Sequence, residues 1–79
     1  MPEQKPEIGI GLIGAGRMGS IRAHLASTHA VVNYLAIADI DLAKAEALAQ
    51  QTEAAFFSDD NRAVIEHPDV DALIVSTPE

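Results

Sequence analysis

The chain contains no cysteine, which excludes a disulfide scaffold and a thiolate zinc site. It is also poor in cations: five Lys and Arg against twelve Asp and Glu give a formal net charge of −7. Nucleic acid and anionic membranes are both bound through clustered Lys and Arg, so neither is an expected partner. No apolar run reaches the roughly eighteen residues that a membrane-spanning helix needs. The leader Met1-Pro2-Glu3-Gln4-Lys5-Pro6-Glu7 carries two acids and lacks the apolar stretch of a secretory signal. A soluble, cytoplasmic protein is therefore expected. What is present is 48% hydrophobic and 22% charged, the mix of a folded chain rather than a disordered one. At 79 residues it makes one small domain or a piece of a larger one. Chains of this size bury only about 60% of their unfolded surface, so the core is thin.

Ile8 to Ile13 reads as a strand, with Ile8, Ile10 and Leu12 on one face and Gly9 and Gly11 leaving room on the other. Gly14-Ala15-Gly16 ends it. Arg17 to about Thr28 reads as a helix, with Met18, Ile21 and Leu25 forming its apolar stripe. Val31 to Ala38 is a second strand, apolar almost throughout, as suits a parallel strand covered on both faces. Asp41 opens an alanine-rich helix, Leu42 to about Thr52, with Leu42, Ala45 and Ala49 inward. Ala54 to Phe57 is a short third strand. Ser58 is a candidate cap for a short helix that holds Asp59 and Asp60 in its first turn. Pro68 stops that helix, and Ala72 to Val75 is a fourth strand. The alternation predicts an α/β, Rossmann-type parallel sheet of order 3-2-1-4. A full doubly wound nucleotide fold has about six strands in two halves. This chain reads as the first half plus one strand, cut short, with residues 1–79 forming the N-terminal part of a dinucleotide-binding domain.

Gly14-Ala15-Gly16-Arg17-Met18-Gly19 matches the dinucleotide fingerprint, and it stands where a strand gives way to a helix. Gly14 permits a tight turn, Gly16 lets the backbone approach a pyrophosphate, and Gly19 lets the helix pack on the strand. The amides of the helix's first turn then face the phosphate charge. The bland alternative is a strand–helix turn that merely needs glycine. Arg17 either lies over the pyrophosphate or adenine, or points into water. Met18 is expected in the core, with its backbone N–H at the site.

Asp39 ends the second strand, 25 positions after Gly14. A carboxylate there can accept the adenosine-ribose hydroxyls of NAD and repel the 2′-phosphate of NADP. Ile40 follows it, and no Lys or Arg precedes Lys44, so NAD is expected over NADP. Asp41 is the better placed to cap the next helix, which leaves Asp39 for the ribose. In the order 3-2-1-4, the crevice between the ends of strands one and four is the binding switch point. Ser76, Thr77 and Pro78 end the fourth strand there, where they offer hydroxyls and amides to pyrophosphate or nicotinamide ribose, or form an ordinary turn.

From Ile10 to Glu79 the chain resembles the glucose–fructose oxidoreductase and inositol dehydrogenase family (Gfo/Idh/MocA), in GLIGAGRMG, in AIADID around Asp39, and above all in EHPDVDALIVSTPE. The resemblance implies an NAD(P)-dependent dehydrogenase of sugars, cyclitols or related polyols. The family's catalytic lysine lies in a Glu-Lys-Pro motif beyond the matched stretch, with its proton-handling His and Asp further on. No catalytic residue and no substrate domain are therefore expected in this chain. Many relatives carry His-Ala past the last glycine, where this chain has Arg22-Ala23 and a displaced His24.

His24 and His29, five apart, lack the spacing of a chelating pair and read as solvated helix surface. His67 precedes Pro68, where an imidazolium can meet the last helix carbonyls. Asp59-Asp60 reads as a solvated helix start, and no metal site is expected. The leading expectation is the NAD-binding portion of a polyol dehydrogenase, with substrate contacts supplied only by a C-terminal part. A non-catalytic NAD-sensing module is the alternative. A methyltransferase fragment fits less well, because a methyl donor carries no pyrophosphate for the helix to hold. Self-association is expected, because the fourth strand is an open edge and one sheet face lacks helices.

Overall fold

The computed structural model of the protein describes residues 7–76. Period-two alternation of apolar residues builds a parallel sheet from β1 (Ile8–Ile13), β2 (Val32–Ala38), β3 (Phe56–Ser58) and β4 (Ala72–Val75), in the order β3-β2-β1-β4. The crossovers are α1 (Arg17–Ser27), α2 (Leu42–Thr52) and the short α3 (Asn61–Ile65). Leu12, Leu35 and Ile37 face one way and pack with Ala23 of α1 and Ala45, Leu48 and Ala49 of α2. Ile13, Ala36 and Ala38 face the other way against Val64 of α3. Leu12, Ile37 and Val64 are wholly buried, each stabilising the fold by about 1.5–3 kcal/mol. β1 carries the register, with Ile10 to Ile13 paired to Ala72 to Val75 on one side and Gly9 to Ile13 paired to Tyr34 to Ala38 on the other. Asp71 pins the start of β4: its carboxylate accepts from the Gly9 amide at 2.8 Å, and its own amide donates to the Gly9 carbonyl at 2.7 Å.

Several local expectations are corrected. Met18, Ile21 and Leu25 do not form the inward stripe of α1; they are 52%, 49% and 66% exposed, and Gly19 and Ala23 are buried instead. Close packing decides this: a Cβ on Gly19 would run into the Gly14 carbonyl, so only small residues fit where α1 meets the sheet. In α2, Leu42 is half exposed while Leu48 and Thr52 join Ala45 and Ala49 inside. The third strand starts two residues later than expected. Glu53 closes α2 in the left-handed region (φ 56°), and the Ala54 amide turns back to the Ala49 carbonyl, which uses up the start of that segment. Ser58 is not the cap of α3, because β3 runs through it. Asp60 takes that role by accepting from the Arg62 amide at 2.9 Å, while the Ser58 hydroxyl accepts from the Asp60 amide.

α3 covers the second sheet face only in part. Leu73 and Val75 of β4 stay 41% and 61% exposed. Among the described residues, no helix is long and apolar enough to cross a membrane.

Candidate functional site

The carboxyl ends of β1, β2 and β4 meet at one edge of the sheet. Ile13 runs into Gly14, whose φ of 101° only glycine adopts without strain. The Gly14 amide donates to the Ala38 carbonyl at 2.7 Å, and the Ser76 amide to the Ile13 carbonyl at 2.8 Å, so the ends of the three strands are tied together. Gly16 is the N-cap of α1, has no side chain to satisfy the first amides, and accepts from the Ser20 amide at 2.7 Å. A Cβ on Gly16 would meet nothing within 4 Å. The first turn of α1 therefore opens outward and presents its amides and the positive end of its dipole. That arrangement fits a phosphate-bearing ligand.

Asp39 is half-buried and already engaged. One oxygen accepts from the Ala15 amide inside the glycine loop at 2.7 Å, and the other from the Asp41 amide at 2.8 Å. Asp41 caps α2 through the Ala43 amide at 3.1 Å. The expectation that capping by Asp41 leaves Asp39 free is thus half right: Asp39 does not cap α2, but it moors the glycine loop to β2. Each carboxylate oxygen has two acceptor sites, so capacity for hydroxyl donors remains. No local sequence signal points to this bond, because its partners lie 24 residues apart.

A cavity of about 560 Å³ runs along this edge, lined by Gly14, Gly16, Asp39, Ile40, Lys44 and Asn61, among others. Ile40 is 87% exposed. Lys44, the first cation after Asp39 in the sequence, lines the same cavity. Lys44 belongs to the first turn of α2, and helical side chains lean toward the N-terminus. Asn61 is absent from the sequence-level candidates, yet it lines the cavity; its Oδ1 is shut off from solvent and has no hydrogen-bond partner among the described residues.

Arg17 and Met18 are exposed at the mouth of α1; Met18 offers its backbone there but is not in the core. Ser76 sits beside the glycine helix, its Cβ 3.6 Å from where a Cβ on Gly19 would stand. Its hydroxyl accepts from Arg22 Nη1 at 2.8 Å, so Arg22 ties α1 to the end of β4. Thr77 and Pro78 lie outside the described residues.

The remaining polar residues lie elsewhere. His24 approaches Gln51 of α2 at 3.4 Å. His67 does not meet helix carbonyls with its ring. The ring lies against Tyr34 and Phe56, each with centroids 5.0 Å away. Nδ1 accepts from the Asp69 amide at 3.1 Å, so Nε2 carries the proton and donates to the Tyr34 hydroxyl at 2.9 Å. Burial, and then the nearby Asp69 charge, push the Tyr34 phenol above its ordinary value. No three His, Asp or Glu side chains converge as a metal site among the described residues.

Residues 8–79 match a family described as an oxidoreductase family with an NAD-binding Rossmann fold (GFO_IDH_MocA). The chain is 39% identical over 75 residues to inositol 2-dehydrogenase 4 of Saccharopolyspora erythraea, covering 91% of this chain and 22% of that protein. It is 29% identical to the uncharacterized oxidoreductase YrbE of Bacillus subtilis, covering 91% of this chain and 21% of that one. Among solved structures, GenD2 from gentamicin A biosynthesis, crystallised in complex with NAD, superposes with a TM-score of 0.85 at 21% identity, over 98% of this chain and 22% of its own. An NAD binding oxidoreductase from Klebsiella pneumoniae gives 0.68 at 32% identity, over 91% and 21%. The chain thus spans 22% and 21% of the two curated relatives.

Proposed function

The chain belongs to the GFO_IDH_MocA oxidoreductase family, and from that premise we propose that it forms the NAD-holding edge of a polyol, sugar or cyclitol dehydrogenase. The observation that carries the reading is the glycine loop: a positive-φ turn at Gly14 and an open approach at Gly16, moored by Asp39. The amides of Arg17, Met18 and Gly19 bind the pyrophosphate, and the Arg17 guanidinium lies over it. The remaining acceptor sites of Asp39 take the ribose hydroxyls, beside Ile40. Ser76, held by Arg22, stands on the nicotinamide side of the crevice. When bound, the nicotinamide supplies the hydride acceptor. Asp39 favours NAD over NADP because a 2′-phosphate would approach a carboxylate already fixed in place; Lys44 on the same wall softens that preference.

The polyol class is supported by the relative named inositol 2-dehydrogenase 4. The names of the relatives also favour a dehydrogenase over an NAD-sensing module. The test is the reading frame beyond Glu79, followed by NAD reduction with a panel of cyclitols and sugars. A continuation with Glu-Lys-Pro, and NADH formation with a polyol, is expected. A stop codon, or no reduction with any polyol, would overturn the dehydrogenase reading.

A further inference from the structure

Four of the chain's five Lys and Arg residues lie among the described residues, each in a different place. Arg62 pairs with Glu66 on α3 at 3.2 Å. Lys44 lines the cavity that Asp39 also lines. Arg17 opens α1. Arg22 follows Gly19 by three positions and shares its helix face. Its stem lines an apolar groove with Ile10, Leu25 and Ile74, and its Nη1 donates to the Ser76 hydroxyl at 2.8 Å. A hydroxyl fixes the guanidinium without neutralising it. Among the described residues the ion pairs are Arg62–Glu66 and His67–Asp69, so Arg22 has no carboxylate partner there. α1 itself holds no Asp or Glu. A full positive charge is therefore fixed at the carboxyl end of β4, where the Ser76 amide donates to the Ile13 carbonyl at 2.8 Å.

The inference rests on the NAD reading, which puts the nicotinamide on the Ser76 side of the crevice. The nicotinamide ring is cationic when oxidised and neutral when reduced, and the rest of the dinucleotide is the same in both forms. A fixed cation on that side opposes the oxidised ring and leaves the reduced one unaffected. We infer that Arg22 discriminates between the two redox states of the cofactor and biases the site toward NADH. Arg17 and Lys44, on the phosphate and ribose sides, act on parts that both forms share.

The experiment titrates NAD and NADH calorimetrically into the parent chain, Arg22→Gln, Arg22→Met and Arg22→Lys, and takes the ratio of the two dissociation constants for each. Gln keeps a donor without the charge, Met keeps the apolar stem, and Lys keeps the charge. A purely structural effect weakens both forms alike and cancels in the ratio. The tie to Ser76 is exposed, so all three variants should fold, which circular dichroism checks. The preference for NADH should fall about two- to fivefold in both neutral variants, the range of one unit charge acting through water, and stay near the parent's in Arg22→Lys. The gap between parent and neutral variants should close between about 0.01 M and about 1 M salt, as the screening length drops from roughly 30 Å to roughly 3 Å. A ratio unchanged in both neutral variants overturns the inference while leaving NAD binding intact. So does a ratio that falls as far in Arg22→Lys, or one that Arg22→Gln keeps and Arg22→Met loses, because the hydrogen bond and not the charge then decides. A gap that high salt leaves untouched also overturns it. A parent that binds neither form overturns the dinucleotide reading itself, and this inference falls with it.

Discussion

Replacing Asp39 by alanine should unmoor the glycine loop before any ligand is present. The carboxylate accepts from the Ala15 amide at 2.7 Å in a partly buried setting and from the Asp41 amide at 2.8 Å in an exposed one. A hydrogen bond to a charged group contributes about 1.5–3 kcal/mol where solvent cannot replace it. The Ala15 bond is of that kind. At Asp41 water substitutes readily, and little is lost. The sum is about 2 kcal/mol, a large share of the total for a domain this small, where stability runs to roughly 0.05–0.15 kcal/mol per residue. At about 4–8 °C per kcal/mol, the ligand-free thermal midpoint should fall by roughly 10 °C. Asp39→Asn keeps one acceptor and should fall by less. Circular dichroism melts give the midpoints, and hydrogen exchange at the Ala15 amide locates the effect. NAD affinity should drop as well, and the preference over NADP should narrow. A midpoint for Asp39→Ala matching the parent's would refute the mooring role, whatever happens to binding.

Gly19→Ala should unfold the chain or cost at least about 3 kcal/mol, because its methyl would enter the Gly14 carbonyl; a melt near the parent's would contradict the close approach. Tyr34 titrates higher in the folded chain than its ordinary 10.0. Its contribution is therefore complete below pH 10 and lost as pH rises through the folded value. Tyr34→Phe should cost about 1 kcal/mol at neutral pH, through the His67 bond, and show a shallower loss above pH 10; parallel stability curves for the two proteins would contradict this. With Leu73 and Val75 exposed along β4, the chain should self-associate and bind a hydrophobic dye. Sedimentation showing a dye-negative monomer with a sharp thermal transition would argue against that.

The parallel sheet, its order and the position of the glycine loop were legible because strand periodicity and glycine punctuation are local signals. Ile8–Ile13 and Ala72–Val75 are reproduced residue for residue. The inward face of α1 was not legible, because ranking by size selects Met18, Ile21 and Leu25. What governs that face is how near α1 must come to the Gly14 carbonyl, and that distance is set by tertiary packing. The start of β3 escaped for a related reason: Glu53 adopts a left-handed C-cap that its residue type does not announce. At the candidate site, the bonds from Ala15 to Asp39 and from Arg22 to Ser76 join residues 24 and 54 apart. Asn61 was not singled out in the sequence, because its place on the cavity wall depends on how α3 packs beside the glycine loop.

The central claim, that the Gly14–Gly19 loop holds the pyrophosphate of NAD, is tested most directly by titrating NADH into the parent chain and Gly16→Val while following cofactor fluorescence. A side chain on Gly16 meets nothing within 4 Å in the ligand-free fold, so the variant should fold as the parent does, with the same circular dichroism spectrum. Its branched side chain would occupy the opening to the α1 amides, where the phosphates approach. Saturable binding by the parent and none by the folded variant is the predicted result. Equal affinity of the two proteins for NADH would contradict the assignment.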